Sequence, residues 1–179
     1  MPDTILLSGS DGFTGLHLTE LARSQGYRVH FLQSDITDAD ALNSELATLS
    51  FDFVVHLAGI CAVTHDDVQE LYRVNLFGTL NLLSAVAASG QSPEIVIIAS
   101  SANVYGDRAA SPIKEDQCPN PVNHYAMSKL AMEQMARAHG KKLPLVFCRP
   151  FNYTGAGHDL RFVIPKLVDH FASRKPLVE

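Results

Sequence analysis

Tyr125 and Lys129 stand four residues apart in Tyr-Ala-Met-Ser-Lys, and on a helix that spacing puts both side chains on one face. A free phenol titrates near ~10 and carries protons poorly at neutral pH. Bringing it to about 7 requires roughly 4 kcal/mol. A cation about 4 Å away supplies roughly that much at an effective dielectric of about 20. A tyrosine so placed exchanges a proton with an alcohol or carbonyl oxygen. Taken alone, such a pair is more often an ordinary exposed contact. Its meaning depends on what the other elements place beside it.

The strongest companion lies at the start of the chain. Thr4 to Ser8 is a short apolar run of the kind that forms a buried strand. Gly9-Ser10-Asp11-Gly12-Phe13-Thr14-Gly15 follows at once, and a helical pattern then opens with Leu16, Leu18, Leu21 and Ala22 expected toward the core. Strand, glycine turn and helix aim free backbone N–H groups and the helix dipole at a phosphate. Glycines let the backbone approach a pyrophosphate closely. The spacing is Gly-x-x-Gly-x-x-Gly, and a plain tight turn is the bland alternative.

Further along, Arg28 to Leu32 is expected as the second strand, without the acidic residue that commonly binds the ribose hydroxyls of NAD there. Asp35 is the candidate for the adenine side of a cofactor, and Asp38 is expected to cap a helix from Ala39 to about Leu49. Phe53 to Leu57 is a third strand ending in Ala58-Gly59. Thr64-His65-Asp66-Asp67 is read as a helix start with Thr64 or Asp66 as cap, not as a metal cluster. A long helix from about Val68 to Ser89 contains Asn75, which either faces solvent or does a specific job. Glu94 to Ala99 and Leu145 to Cys148 are two more strands. Asn123-His124 opens the Tyr125 helix, with Leu130, Met135 and Ala136 continuing its packing face, and Phe162 to Ala172 is a last amphipathic helix.

Composition agrees with one soluble globular domain. The chain has 179 residues, 46% hydrophobic and 18% charged, with a net charge of −5. Lys and Arg do not cluster, so nucleic-acid binding has no electrostatic support. No apolar run is long enough to span a bilayer, and the N-terminus lacks the form of a signal peptide. The scattered Cys61, Cys118 and Cys148 suggest reduced thiols and a cytoplasmic protein.

Buried strands alternating with helices imply an α/β fold, a Rossmann-like doubly wound parallel sheet with helices on both faces. The chain resembles the extended short-chain dehydrogenase/reductase family of nucleotide-sugar epimerases, dehydratases and 4-keto-sugar reductases. The resemblance rests on Gly9-x-x-Gly12-x-x-Gly15, Asp35-Ile36, His56-Leu57-Ala58-Gly59, Asn75, Ser101 in Ser-Ala-Asn-Val-Tyr-Gly, Tyr125-x-x-x-Lys129 and Arg149-Pro150-Phe151-Asn152. It implies a catalytic set of Ser101, Tyr125 and Lys129. Ser101 would hold a substrate oxygen, Tyr125 would exchange its proton, and Lys129 would lower the Tyr125 pKa and bind the nicotinamide ribose. It implies an NAD or NADP site at Gly9, Asp11, Gly12, Phe13, Gly15, Asp35, Ile36, Leu57, Ala58, Gly59, Asn75, Tyr125, Lys129 and Phe151. A nucleotide-sugar substrate would meet Ser101, Asn103, Tyr125 and Asn152. No metal site is implied. Ala102 and Asn103 stand where dehydratases carry an Asp-Glu pair, which leaves an epimerase or a reductase.

The resemblance also implies a homodimer and a division into a dinucleotide-binding domain over 1–157 and the start of a truncated C-terminal substrate domain over 158–179. A non-catalytic cofactor-binding module is the alternative for a chain with so little of that second domain.

Overall fold

The computed structural model describes residues 2–61, 66–107 and 111–173. Five parallel strands form one sheet: β1 (Thr4–Ser8), β2 (Arg28–Phe31), β3 (Phe53–His56), β4 (Ile95–Ala99) and β5 (Leu145–Cys148), in the order β2-β1-β3-β4-β5. The chain leaves β1 toward β2 on one side and crosses to β3 on the other. The carboxyl ends of β1 and β3 therefore flank the switch point where ligands lie in such sheets. The register sets Ser8 opposite His56, so both strands end level at that edge.

The two faces of the sheet are covered unequally. On one, Leu6, Val54, Val96 and Ile98 pack against helices α2 (Ala39–Leu46), α4 (Thr79–Ala88) and α5 (His124–Ala136), through Leu42, Leu46, Leu82, Leu83, Val86, Met132 and Ala136. On the other, Ile5, Leu7 and Val55 pack around Ala22 of α1 (Phe13–Ser24). Toward β5 that second face is open, with Val146 and Cys148 exposed.

Helix α1 does not bury the face its leucines suggest. Leu16 and Leu21 are exposed, and Gly15, Thr19 and Ala22 are buried instead. The reason is steric. A Cβ on Gly15 would collide with the Gly9 carbonyl and the Ser10 backbone. The helix therefore seats on β1 through Gly15, Thr19 and Ala22, keeps Leu18 against the core as expected, and turns Leu16 and Leu21 outward.

Asp38 caps α2, accepting from the Ala41 amide at 3.0 Å. Asn123 caps α5, accepting from the Ala126 amide at 2.8 Å. The cap of α3 (Val68–Tyr72) is Asp67, accepting from the Glu70 amide at 3.0 Å, and neither Thr64 nor Asp66. Thr64 and His65 lie outside the described residues. The expected long helix is interrupted: a π-helical segment, Arg73–Gly78, joins α3 to α4. Such bulges are rare and concentrate at functional sites. The last helix, α6 (Val163–Ala172), buries only His170 and turns Val163, Ile164, Leu167, Val168 and Phe171 to solvent. Met135 of α5 is likewise exposed, while Met132 and Glu133 carry the packing there.

Candidate active site

Gly9 has φ +72, and a Cβ there would lie 2.6 Å from the Ala58 amide nitrogen. A side chain is excluded both by conformation and by the β3 loop beside it. The turn then enters α1 through Gly12, which offers no side-chain cap. Helices α2, α3 and α5 all have one. The first N–H groups of α1 are thus left open at the carboxyl edge of the sheet. This suits a pyrophosphate: a positive helix end, no intervening side chain, and the switch point of the sheet.

The next contributor is Asn75, 1% exposed within the π segment. Its Oδ1 accepts from the Ile60 amide at 2.8 Å, and its Nδ2 donates to the Ile60 carbonyl at 3.1 Å and to Ser128 Oγ at 3.2 Å. Asn75 thus does the specific job that its unfavourable helical position implied, clamping the β3 loop to α5. A Cβ on Gly59 would sit 3.0 Å from Asn75 Oδ1 and 3.2 Å from Lys129 Nζ. The two polar groups therefore converge on Gly59.

Ser101 follows β4 and begins the short 3₁₀ turn Ala102–Tyr105, accepting from the Asn103 amide at 3.2 Å. Its hydroxyl also acts on the Tyr125 phenol, drawing its pKa down. Lys129, 6% exposed, donates from Nζ to the Ala99 carbonyl at 2.9 Å, at the end of β4. Ser101, Tyr125, Lys129, Asn75, Gly59 and the glycine turn are therefore gathered at one edge of the sheet.

The electrostatics differ from expectation. The Lys129 ammonium points to Ala99 and Gly59, and its charge is not among those acting on the phenol. Burial raises the Tyr125 pKa above its ordinary value of 10.0, and the Ser101 hydroxyl opposes this only in part. Burial also pushes Lys129 down to about 8. No carboxylate among the described residues pairs with it.

A second buried cluster braces the same region. Glu133 is fully buried. It accepts from Arg149 Nε at 2.9 Å and Nη2 at 2.6 Å, and from the Ser100 hydroxyl. Arg149 also donates to the Tyr105 hydroxyl at 2.7 Å and lies over that ring. One bidentate pair thus ties α5, the end of β4, the 3₁₀ turn and the end of β5 together. Phe151 and Asn152, just beyond, are exposed at this edge. The loop they begin folds back on α1: Phe13 stacks on His158 at 4.4 Å between ring centroids, and Thr14 meets the Tyr153 hydroxyl at 2.5 Å.

Two expected cofactor residues sit apart from the tyrosine. Asp35 accepts from both the amide and the hydroxyl of Thr37 at 2.8 Å, and these bonds lower its pKa. Its carboxylate closes its own turn beside Arg73. Ile36 is buried against Gly78 of the π segment. Asp11 is exposed and lines a groove of about 550 Å³ with Ser10, Leu16, Thr19, Glu20, Arg23 and Phe31, between α1 and the end of β2. No group of three His, Cys, Asp or Glu with metal-binding geometry occurs among the described residues.

Several participants escaped the sequence reading. Glu133 stands four residues after Lys129, a spacing that could have flagged it. Glu45 accepts from the Gln33 and Ser34 amides at 2.9 and 2.8 Å and fixes the loop after β2. Cys61, next to the Ile60 that Asn75 clamps, is exposed.

Residues 5–179 match the NAD dependent epimerase/dehydratase family. The chain is similar to a GDP-6-deoxy-D-talose 4-dehydrogenase of Aggregatibacter actinomycetemcomitans, 33% identical over 98% of this chain and 61% of the relative. It is similar to a GDP-6-deoxy-D-mannose reductase of Pseudomonas aeruginosa, 35% identical over 98% of this chain and 60% of the relative. The solved structure of RMD from Pseudomonas aeruginosa complexed with NADPH superposes with a TM-score of 0.87 at 34% identity, covering 97% of this chain and 62% of that one. The chain spans about three fifths of the length of these relatives. With its parallel sheet, its glycine turn and a match over nearly its whole length, this chain belongs to the NAD dependent epimerase/dehydratase family.

Proposed function

We propose that this chain is the dinucleotide-binding and catalytic part of an NAD(P)-dependent enzyme that interconverts a ketone and a secondary alcohol on a nucleotide sugar. The carrying observation is the placement of Ser101, whose hydroxyl acts on the Tyr125 phenol, and of buried Lys129 one turn further along α5, at the sheet edge that also carries the open glycine turn. In this reading the uncapped start of α1 holds the pyrophosphate, Asn75 and Gly59 shape the floor, and Lys129 meets the ribose hydroxyls. The dinucleotide supplies or accepts the hydride. Ser101 donates to the sugar carbonyl oxygen, and the Tyr125 phenol gives that oxygen its proton. A phenol held above its ordinary pKa keeps its proton until a developing alkoxide takes it, which favours the reductive direction. Similarity to the GDP-6-deoxy-D-mannose reductase supports the same direction, so we favour a 4-keto-sugar reductase over an epimerase.

Residues 1–157 form the dinucleotide domain in this proposal, and 158–179 begin a substrate domain. Exposed Phe77, Met127 and Met135 on the adjoining helices support a homodimer, in which they would pack against a second copy. Three exposed, unpaired thiols support a reducing compartment such as the cytoplasm. No helix among the described residues is long and apolar enough to cross a membrane.

The test is reduction of NAD and NADP with GDP-6-deoxy-D-mannose, GDP-6-deoxy-D-talose and UDP-glucose, comparing the native protein with Tyr125→Phe. Turnover with a GDP sugar that falls by about 10² or more in the variant is expected. Equal turnover in both removes Tyr125 from the chemistry. Dinucleotide binding without turnover in either identifies a binding module instead.

A further inference from the structure

A chain of buried polar groups runs behind the site and is not used by the chemistry above. Ser8, His56, Asn75, Thr79 and Ser128 are all 3% exposed or less. Ser8 Oγ lies 2.6 Å from His56 Nδ1, and His56 Nε2 lies 2.9 Å from Thr79 Oγ1. We propose that His56 is a positioning residue which, as the neutral Nε2–H tautomer, locks the glycine turn at the end of β1 to the π segment holding Asn75, and through Asn75 to the Tyr125 helix.

The hydrogens leave one solution. Thr79 has a single hydroxyl hydrogen, and it goes to the Asn75 carbonyl at 2.8 Å. Toward His56, Thr79 can then only accept, so Nε2 carries the proton. Nδ1 is therefore a lone pair and takes the Ser8 hydroxyl hydrogen. Ser8 Oγ in turn accepts from the Ala58 amide at 3.3 Å. At the other end the Asn75 amide is oriented by Ile60, which donates to Oδ1 and accepts from Nδ2. Nδ2 also donates to Ser128 Oγ, and Ser128 donates to the Tyr125 carbonyl at 2.8 Å. Each hydrogen is used once and points one way. Both strand ends at the switch point are thereby joined to the backbone of the tyrosine.

A protonated imidazole would break this order, because Nδ1–H would oppose the Ser8 hydroxyl. The fold prevents it: burial, with the Lys129 charge added, pushes His56 down to about 3. The proposal rests on the dinucleotide reading only for its functional arm. Its tautomeric arm stands apart.

The experiment is imidazole nitrogen NMR on the native chain, followed by NADPH titration of variants. The Nε2–H form is expected to persist unchanged from about pH 5 to 8. An Nδ1–H form, or titration within that range, overturns the proposal. Thr79→Val removes the acceptor of Nε2–H. It is expected to mix the tautomers, to shift the Asn75 and Ile60 amide resonances and to weaken NADPH binding about tenfold, with Thr79→Ser restoring all three. Unchanged resonances and affinity in Thr79→Val also overturn it. If that variant does not fold, Ser8→Ala opens the chain from the opposite end: Nε2–H is expected to persist, held by Thr79, while NADPH binding weakens and the Ala58 amide resonance shifts, and no change in either overturns the proposal. A native chain that fails to bind NADPH or NADH sinks the proposed function, while the tautomer and the resonances still decide the role of His56.

Discussion

Lys129 and Glu133 lie one turn apart on α5, and both are buried, yet the fold treats their charges in opposite ways. Glu133 meets a bidentate guanidinium and a serine hydroxyl, and nothing further is required to neutralise it. Lys129 has a backbone carbonyl and no carboxylate among the described residues, and burial depresses its pKa to about 8. One buried charge belongs to the scaffold. The other is held in a strained electrostatic state beside the open end of α1, the pattern of a group poised for a ligand. The difference teaches that two charges one turn apart can both be buried yet unequally compensated.

The largest effect should come from the finished pair. Arg149→Leu leaves the Glu133 carboxylate buried with only Ser100 to satisfy it, and a loss of about 3–5 kcal/mol is expected in urea unfolding. Adding Glu133→Leu should restore most of that loss, because removing both charges is far cheaper than removing one. A double variant no more stable than Arg149→Leu would mean that the guanidinium acts through its stacking on Tyr105 alone.

The unfinished charge should behave in reverse. In the fold Lys129 titrates near 8, against 10.5 for the free group. Between those values the unfolded chain retains a proton that the folded chain has released, so stability rises with pH through that window. Below it both states are protonated, and the full penalty remains, roughly 3 kcal/mol at one pKa unit per 1.4 kcal/mol. Lys129→Met is therefore expected to stabilise the chain by about 1–3 kcal/mol near neutrality. It should also flatten the rise between pH 8 and 10 and weaken dinucleotide binding. A variant less stable than the native chain would show that Lys129 is structural, like Glu133.

An ordinary surface residue calibrates both. Asn123→Ala removes the cap of the same helix, and a loss of about 1 kcal/mol is expected by the same urea measurement. A loss as large as that of Arg149→Leu would mean that α5 depends on its cap more than on its buried pair.

What the sequence disclosed follows from which forces are local. The apolar runs Thr4–Ser8 and Leu145–Cys148 form β1 and β5 with those limits, because a buried parallel strand needs little beyond a continuous apolar stretch. Asp38 and Asn123 cap where expected, because capping acts within three residues. The face of α1 was misjudged because contact with Gly9 depends on the absence of side chains, and apolar periodicity scores only their presence. The π segment sets Gly78 against Ile36, remote in sequence, a contact that local periodicity does not show. Tyr125 and Lys129 were singled out by type and spacing, and Ser101 through the family resemblance, but the shifts in the Tyr125 and Lys129 pKa values were not legible there. The buried ammonium points to Ala99 at the end of β4 and Gly59 in the loop after β3, thirty and seventy residues away in sequence.

Because α6 turns Val163, Ile164, Leu167, Val168 and Phe171 outward, whatever covers that hydrocarbon stabilises the helix by mass action. Where that cover is a second copy of the chain, melting temperature rises with its concentration. The catalytic edge is reached from the same loop that leads into α6, through Phe13, His158 and Phe162. Covering the helix and steadying the mouth of the cleft are thus a single event.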